Sequence, residues 1–516
     1  MSIFRLSIFM SLGTLCSRFL GLARDIAFTA LLAVPVLDAF IVAMKIPNLF
    51  RAFFGEGNFS VSFLPLYIQK RNSKAGQELL SNAVFSFLML FSSFVVFFLS
   101  LYMPEVLNAL LQEGKFNLVN FQSIVYLSRF FLLYIFFLLS YVHFSALLQV
   151  KNQFFLAALA PALLNVSLIV FSIFYRLQEK QLNYLIAGVL VGGALQFGLV
   201  FFPVWKNKFL PSFTWKWRGS GLKTVLVKML PGFLSIFFYQ CISLFNVYFA
   251  SSLPSGSLSS LYLSDRIFQL PFSLIAISVG TALLPSLSTL WVKKELTQFN
   301  KILQKNLHIS LYLLLPSAVG LFFLAEPILS FFFERGAFNR EQILYTVQVL
   351  QILSFSLIFL GLYKVLISGF FACGKTHLPA ISSGLAFMVY LALAFSFSPQ
   401  YGITGLAFSM SVSTIINFLS AFLLYSMFVQ KFHALALLKK FLHYLLPVIV
   451  MSIFLKYLPP WLQENLVLSS VKLKQIILLL VSVLGGASIY FFISTLLAIP
   501  EATIVTSLLK KQRRHK

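Results

Sequence analysis

Long apolar runs separated by short basic turns fill this chain from end to end. Set against the ~20 residues an α-helix needs to cross a hydrocarbon core, they predict about fourteen membrane spans. Six lie at about 4–34, 36–69, 79–103, 123–148, 153–175 and 183–204. A basic stretch, Lys206–Lys228, follows, and six more spans come at about 229–252, 258–291, 306–328, 342–372, 378–397 and 401–430. Two further runs, about 438–458 and 475–499, precede a basic C-terminal tail. The expected fold class is an all-α polytopic membrane protein.

Charge in the turns orients the spans. Arg5, the Lys70–Lys74 turn, Lys151, the Lys206–Lys228 stretch, Lys293–Lys305, Lys375, Lys431–Lys440 and the KKQRRHK tail fall in one set of alternate loops. The opposite set, with Lys115, Arg176, Lys180, Arg335 and Arg340, is far poorer in Lys and Arg. Because Lys and Arg are retained on the cytoplasmic side, both termini are expected there and the number of spans is even.

The two groups of six spans also resemble each other. AMKIPNL, containing Lys45 and Leu49, aligns with LSDRIFQL, containing Arg266 and Leu270, at an offset of about 221. Pro65 then aligns with Pro285, and YLIAG at Tyr184 with YGITG at Tyr401. An even number of spans between equivalent positions predicts parallel repeats related by an axis along the membrane normal. The expected domains are an N-lobe at 1–215, a C-lobe at 216–432, and a final helix pair with the basic tail at 433–516.

Composition agrees with a lipid environment. Of 516 residues 59% are hydrophobic and 10% charged, against about a quarter charged in soluble domains, and the mean hydropathy is +0.91. The net charge of +25 sits mostly in the short loops, so it reads as orientation signal and not as a nucleic-acid surface. Cys16, Cys241 and Cys373 have no metal-ligand spacing and read as small core residues. Arg18 and Arg24 interrupt the first apolar run, which is therefore expected to be retained as a helix, not cleaved as a signal peptide.

Gly369 to Thr376 matches the P-loop pattern by letter. It sits at the end of a long apolar helix with no preceding strand, so positive-inside anchoring by Lys375 accounts for it better than phosphate binding. Gly188 and Gly192 read as a helix-packing pair. The six histidines show no zinc spacing. No catalytic residue, metal site or cofactor is assigned, and the chain is not expected to be an enzyme.

The informative residues are charges inside the spans, each costing roughly 2.5–3.5 kcal/mol at mid-membrane on insertion scales. The first span holds Arg18, Arg24 and Asp25; the second holds Asp38, Lys45, Arg51 and Glu56; the eighth holds Asp265 and Arg266. Arg129 and Lys364 stand alone and fit snorkelling or a structural contact. Arg18 and Asp25, seven apart, share nearly one helix face. Gly13, Ser17 and Gly21 form a line of small residues that admits a close neighbour. Pro47 and Gly55-Glu56-Gly57 predict a bent or unwound second span, and irregular backbone at membrane depth belongs where it is buried or lines water. Together these predict a hydrated cationic cavity, and guanidinium forks suit phosphate oxygens.

At these positions the chain resembles the MurJ (MviN) family of lipid II flippases, within the multidrug/oligosaccharidyl-lipid/polysaccharide exporter superfamily. The resemblance runs through SRFLGLARD (Ser17–Asp25), Asp38–Pro65, APALLN (Ala160–Asn165), SDRI with GTALLPSLS (Gly280–Ser288), and Glu326–Phe338. It implies two six-helix lobes and a final helix pair offering an apolar groove to a polyprenyl tail. It implies substrate contacts from Arg18, Arg24, Arg51, Asn165 and Arg266, and structural or gating roles for Asp25, Asp38, Lys45, Glu56 and Asp265. The implied partners are the undecaprenyl-diphosphate-linked muropeptide (lipid II), membrane lipids and other cell-wall synthesis proteins, in the bacterial cytoplasmic membrane. Asn246 stands where some relatives carry an acidic ion-coupling residue, which argues against sodium coupling there. Three alternatives remain at this point. They are export of another polyprenyl-diphosphate-linked saccharide, a non-transporting scaffold for cell-wall enzymes, and a cation antiporter, to which the cavity's sign is adverse.

Overall fold

A computed structural model describes residues 3–55, 58–70, 73–112, 118–151, 153–430, 434–465 and 471–503. Glu56, Arg71, Lys115, Lys431 and the KKQRRHK tail lie outside the described residues. Each predicted span falls on a helix or a helical chain segment. The first half contains α1 (Ile3–Leu31), α2 (Val34–Ala43), α3 (Lys45–Phe50), α4 (Asn58–Gln69), α5 (Lys74–Leu101), α6 (Met103–Leu110), α7 (Leu118–Phe131), α8 (Tyr134–Val150), α9 (Phe154–Leu177) and α10 (Asn183–Lys206). There follow α11 (Leu222–Ser251), α12 (Ser257–Phe272), α13 (Ser278–Val292), α14 (Leu296–Phe323), α15 (Ala325–Phe333), α16 (Arg340–Ala372), α17 (His377–Phe428), α18 (Ala434–Asn465) and α19 (Val471–Leu496). Among the described residues β pairing is confined to a single bridge, Arg335 to Phe338.

Among the described residues ten helical segments are long and apolar enough to cross a bilayer. The longest of these, α17, is two spans. Gly402 has φ 59° and ψ −134°, a conformation open essentially only to glycine. A Cβ at Gly405 would come within 2.3 Å of the Phe397 carbonyl oxygen, and Ser413 Oγ donates to the Ala386 carbonyl at 2.9 Å. In a straight helix those 27 positions would span about 40 Å, so the chain reverses at Gly402 into an antiparallel pair. Adding α1, the α2–α4 segment and α11 gives the fourteen spans expected.

The second span is broken where Pro47 and Gly55 predicted. Arg51–Gly55 forms a π-helical turn, and a second one lies at Ser273–Ile277 between α12 and α13. Their starting positions, 51 and 273, repeat the sequence offset of about 221 to within a residue, and both are followed by the matched Pro65 and Pro285. The wide turns are thus part of the repeat, and such turns often mark functional positions.

Contacts divide the chain into two compact units: Met1–Ser259 with Arg335–Asn339, and Ser260–Glu334 with Arg340–Lys516. In the first, α1 packs on α9, α9 on α10, α10 on α8, and α11 on α4, α5 and α6. Lipid tails give apolar helices no net hydrophobic drive to associate, so close approach and hydrogen bonds must hold them. The small-residue lines supply the approach. A Cβ at Gly13 would meet Ala158 at 3.0 Å, one at Gly188 would meet Phe171 at 3.0 Å, and one at Gly192 would meet Leu164 at 2.8 Å. Ser167 Oγ adds a hydrogen bond to the Gly188 carbonyl at 2.8 Å. Cys16, expected in a core, is instead exposed.

In the second unit α14 lies between α16 and α18, around Phe299, Leu303, Leu307, Leu366, Phe370 and Tyr425. Ser368 Oγ donates to the Gly280 carbonyl and Ser411 Oγ to that of Ile352. The last helix pair belongs to this unit: Tyr490 on α19 donates to the Tyr312 carbonyl on α14 at 2.8 Å. Lys440 on α18 pairs with Glu501 at 2.9 Å.

Candidate substrate site

The centre of the first unit's polar chemistry is a three-residue cluster on α1 and α9. Arg24 is only 8% exposed and Asp25 1%, so neither charge is solvated by bulk water. The Arg24 guanidinium donates through Nε and Nη2 to Asp25 Oδ1, at 3.0 and 2.7 Å. Its Nη1 donates to Asn165 Oδ1 at 3.0 Å. Asn165 Nδ2 in turn donates to the Ser17 carbonyl on α1 at 3.1 Å. The amide therefore straps the two helices where Gly21 keeps the space open; a Cβ there would come within 3.6 Å of Asn165 Nδ2. The Phe28 ring lies 5.6 Å from the guanidinium carbon. Held on three nitrogens, the guanidinium plane has little freedom to turn, the condition for presenting a fixed fork to phosphate oxygens.

Arg18 lies nearly two turns back on α1 and is exposed. Arg51 opens the first π-helical turn and is also exposed, its side-chain methylene lying 3.5 Å from where a Gly55 Cβ would stand. Lys45 is half-buried at the start of α3.

Asp38 does something that spacing alone did not indicate. Its Oδ2 accepts from Gly256 N at 2.7 Å, and its Oδ1 from Ser259 N at 2.9 Å and Ser259 Oγ at 2.5 Å. Gly256 and Ser259 flank the first residues of α12, whose leading N–H groups have no partner within the helix. A buried carboxylate from α2 thus caps the N-terminus of α12, where the helix dipole favours negative charge.

In the second unit Arg266 rides on the face of α12. Its guanidinium carbon is 4.7 Å from the Tyr262 ring centroid, and Nη2 donates to the Tyr262 hydroxyl at 2.6 Å. The tyrosine was not singled out in the sequence, although its i−4 position is the spacing that puts two helical side chains together. Asp265 points elsewhere, accepting from Gln269 at 2.5 Å. Arg129 donates to the Ser100 carbonyl at 3.1 Å, and Lys375 to that of Phe428, both structural contacts. No cluster of metal-binding side chains occurs among the described residues.

A profile of the family described as "Lipid II flippase MurJ" matches residues 28–476. A protein of Bdellovibrio bacteriovorus named "Probable lipid II flippase MurJ" is 34% identical over 405 residues, 77% of each chain. "Lipid II flippase MurJ" of Burkholderia cenocepacia is 31% identical over 419 residues, 79% of this chain and 80% of that protein. Among solved structures, "Lipid II flippase MurJ, inward closed conformation" superposes with a TM-score of 0.77 at 27% identity, covering 94% of this chain and 99% of the other. An inward-facing multidrug resistance MATE family transporter of the MOP superfamily shares the fold at TM-score 0.65 and 15% identity, covering 80% and 94%. By the extent of these matches the chain belongs to the lipid II flippase MurJ family.

Proposed function

We propose that this chain moves lipid II from the cytoplasmic to the periplasmic leaflet of the bacterial inner membrane by alternating access. The observation that carries the reading is the Arg24 guanidinium, buried in a membrane span and immobilised by Asp25 and Asn165. A cation kept there at a cost of a few kcal/mol needs a purpose, and a diphosphate is the anion its geometry fits. Arg18, Arg51 and Arg266 serve as further headgroup contacts along the route. Asp25, Asp38, Lys45, Glu56 and Asp265 orient those cations or hold the gates.

The lobes follow the sequence repeat, 1–215 and 216–432, with 433–516 giving the polyprenyl tail an apolar path along α18 and α19. Both termini face the cytoplasm, as the loop charges require. The chain does no covalent chemistry, and it works beside other cell-wall synthesis proteins. Depleting the protein from living cells and measuring periplasm-facing lipid II tests the reading. Accumulation on the cytoplasmic side is expected; unchanged export during depletion would leave the scaffold alternative standing.

A further inference from the structure

The segment that joins α10 to α11 has no role in the reading above, yet it is built in detail. Lys208 takes a left-handed φ of 57°, and the Phe209 amide reaches back to the Val204 carbonyl at 3.1 Å. This closes α10 with a Schellman turn and sends the chain out extended. Lys151 Nζ then sits 4.3 Å over the Phe209 ring. The Ser212 amide donates to Asn82 Oδ1 and the Thr214 amide to Ser86 Oγ, both at 2.8 Å. Lys70 Nζ closes the far end on the Ser220 carbonyl at 2.6 Å. A strap of residues 207–220 is thus pinned to α5 and to two neighbouring turns by its own backbone, leaving its side chains for other work.

Its depth follows from α5. Glu78 is the last charge of that helix before an apolar run, and Asn82 and Ser86 lie about 6 and 12 Å beyond it at 1.5 Å per residue. The headgroup layer is only about 5–8 Å thick on each side of the hydrocarbon. Ser212–Thr214 therefore dips to the boundary between headgroups and acyl chains. Phe213, Trp215 and Trp217, which alternate along the extended chain, form a row of ring contacts at 5.2 and 6.1 Å, with Trp217 seated against Phe87. Phe213 and Trp215 are 50% and 71% exposed, the arrangement of an interfacial aromatic belt. Lys208, Lys216 and Arg218 are exposed too. Among the described residues none of these three side chains has a hydrogen bond or an ion pair, and the sequence from Trp205 to Lys223 contains no acidic residue.

We propose that this strap is a binding site for the phosphate headgroups of anionic phospholipids, with Phe213 and Trp215 in the acyl boundary and Lys208, Lys216 and Arg218 on the phosphates. Basic side chains at an anionic surface each contribute about a fivefold preference, within a Debye length. The site does not depend on what the protein transports; only its assignment to the cytoplasmic leaflet rests on the orientation read above.

The test is tryptophan quenching of the full chain reconstituted in vesicles carrying bromine high on the acyl chains. Brominated phosphatidylglycerol is compared with brominated phosphatidylcholine at equal mole fraction. Phosphatidylglycerol should quench more, the excess should shrink with added salt, and it should fall severalfold in the triple variant Lys208→Asn, Lys216→Gln, Arg218→Gln. Trp215→Ala should remove a large part of the quenched signal while leaving the other tryptophans. Equal quenching by the two lipids, or an excess that survives the triple variant, overturns the proposal.

Discussion

Replacing Asp38 by alanine removes an acceptor for two backbone amides and one hydroxyl at the start of α12. Asp38 is 4% exposed, so water cannot readily take its place. Each buried donor left without a partner costs about 1–3 kcal/mol, and hydrogen bonds to a charged group sit at the upper part of the range. Loss of the carboxylate from the dipole end of α12 adds about 0.3–2 kcal/mol. The Ser259 hydroxyl can rotate to another acceptor, so about 3–5 kcal/mol is a reasonable total for Asp38→Ala. Asp38→Asn keeps one acceptor oxygen but brings an NH2 toward the amides; it should cost about half as much. The assay is thermal unfolding of purified protein in detergent, followed by tryptophan fluorescence, with wild type, Asp38→Asn and Asp38→Ala compared. The order wild type, then Asn, then Ala is expected, with Ser259→Ala milder than either because both amide bonds survive. If Asp38→Ala unfolds with the wild type, the cap contributes nothing and the carboxylate has some other reason to be buried.

Other consequences can be checked in the same preparations. Gly402→Ala forces a side chain into a backbone region reserved for glycine and should lower stability by about 1–3 kcal/mol, read as a lower unfolding midpoint. Gly336→Ala meets the Ala30 carbonyl oxygen at 2.3 Å with φ at 57°, so the same measurement should show a loss at least as large. Burial pushes the Glu501 carboxyl up, but its hydrogen bonds and the Lys440 charge outweigh that and hold it below the ordinary 4.5. A carboxylate with a depressed folded value stabilises above its unfolded pKa and loses that contribution as pH falls through the folded one. The wild type should therefore lose stability below about pH 4.5 relative to Glu501→Gln, a difference absent at neutral pH if the pair were unformed. Asn165→Ala should free the Arg24 guanidinium and reduce transport, with membrane levels unchanged on immunoblots.

The spans could be read from the sequence because apolar length is a direct demand of the bilayer. The break in the second span was equally legible, since Pro47 and the Gly55-Glu56-Gly57 run each weaken a regular helix. Its counterpart at Ser273–Ile277 follows Pro271 by two residues, a signal that the sequence reading did not take up. Helical spacing put Arg18 and Asp25 on one face, but Asp25 pairs with its chain neighbour Arg24, a contact that helical periodicity does not indicate. Contacts across 141 and 221 residues, Arg24 to Asn165 and Asp38 to Ser259, lie beyond any local pattern. Cys16 was misjudged because in lipid an apolar residue gains little by turning inward.

Purified protein in vesicles with labelled lipid II on one face tests the central claim most directly. Wild type should deliver the label to the opposite face, while Arg24→Ala and Arg266→Ala, inserted to the same level and each assayed below its own unfolding midpoint, should leave it where it started. Translocation at the wild-type rate by both variants would contradict the assignment of these guanidinium groups to the diphosphate.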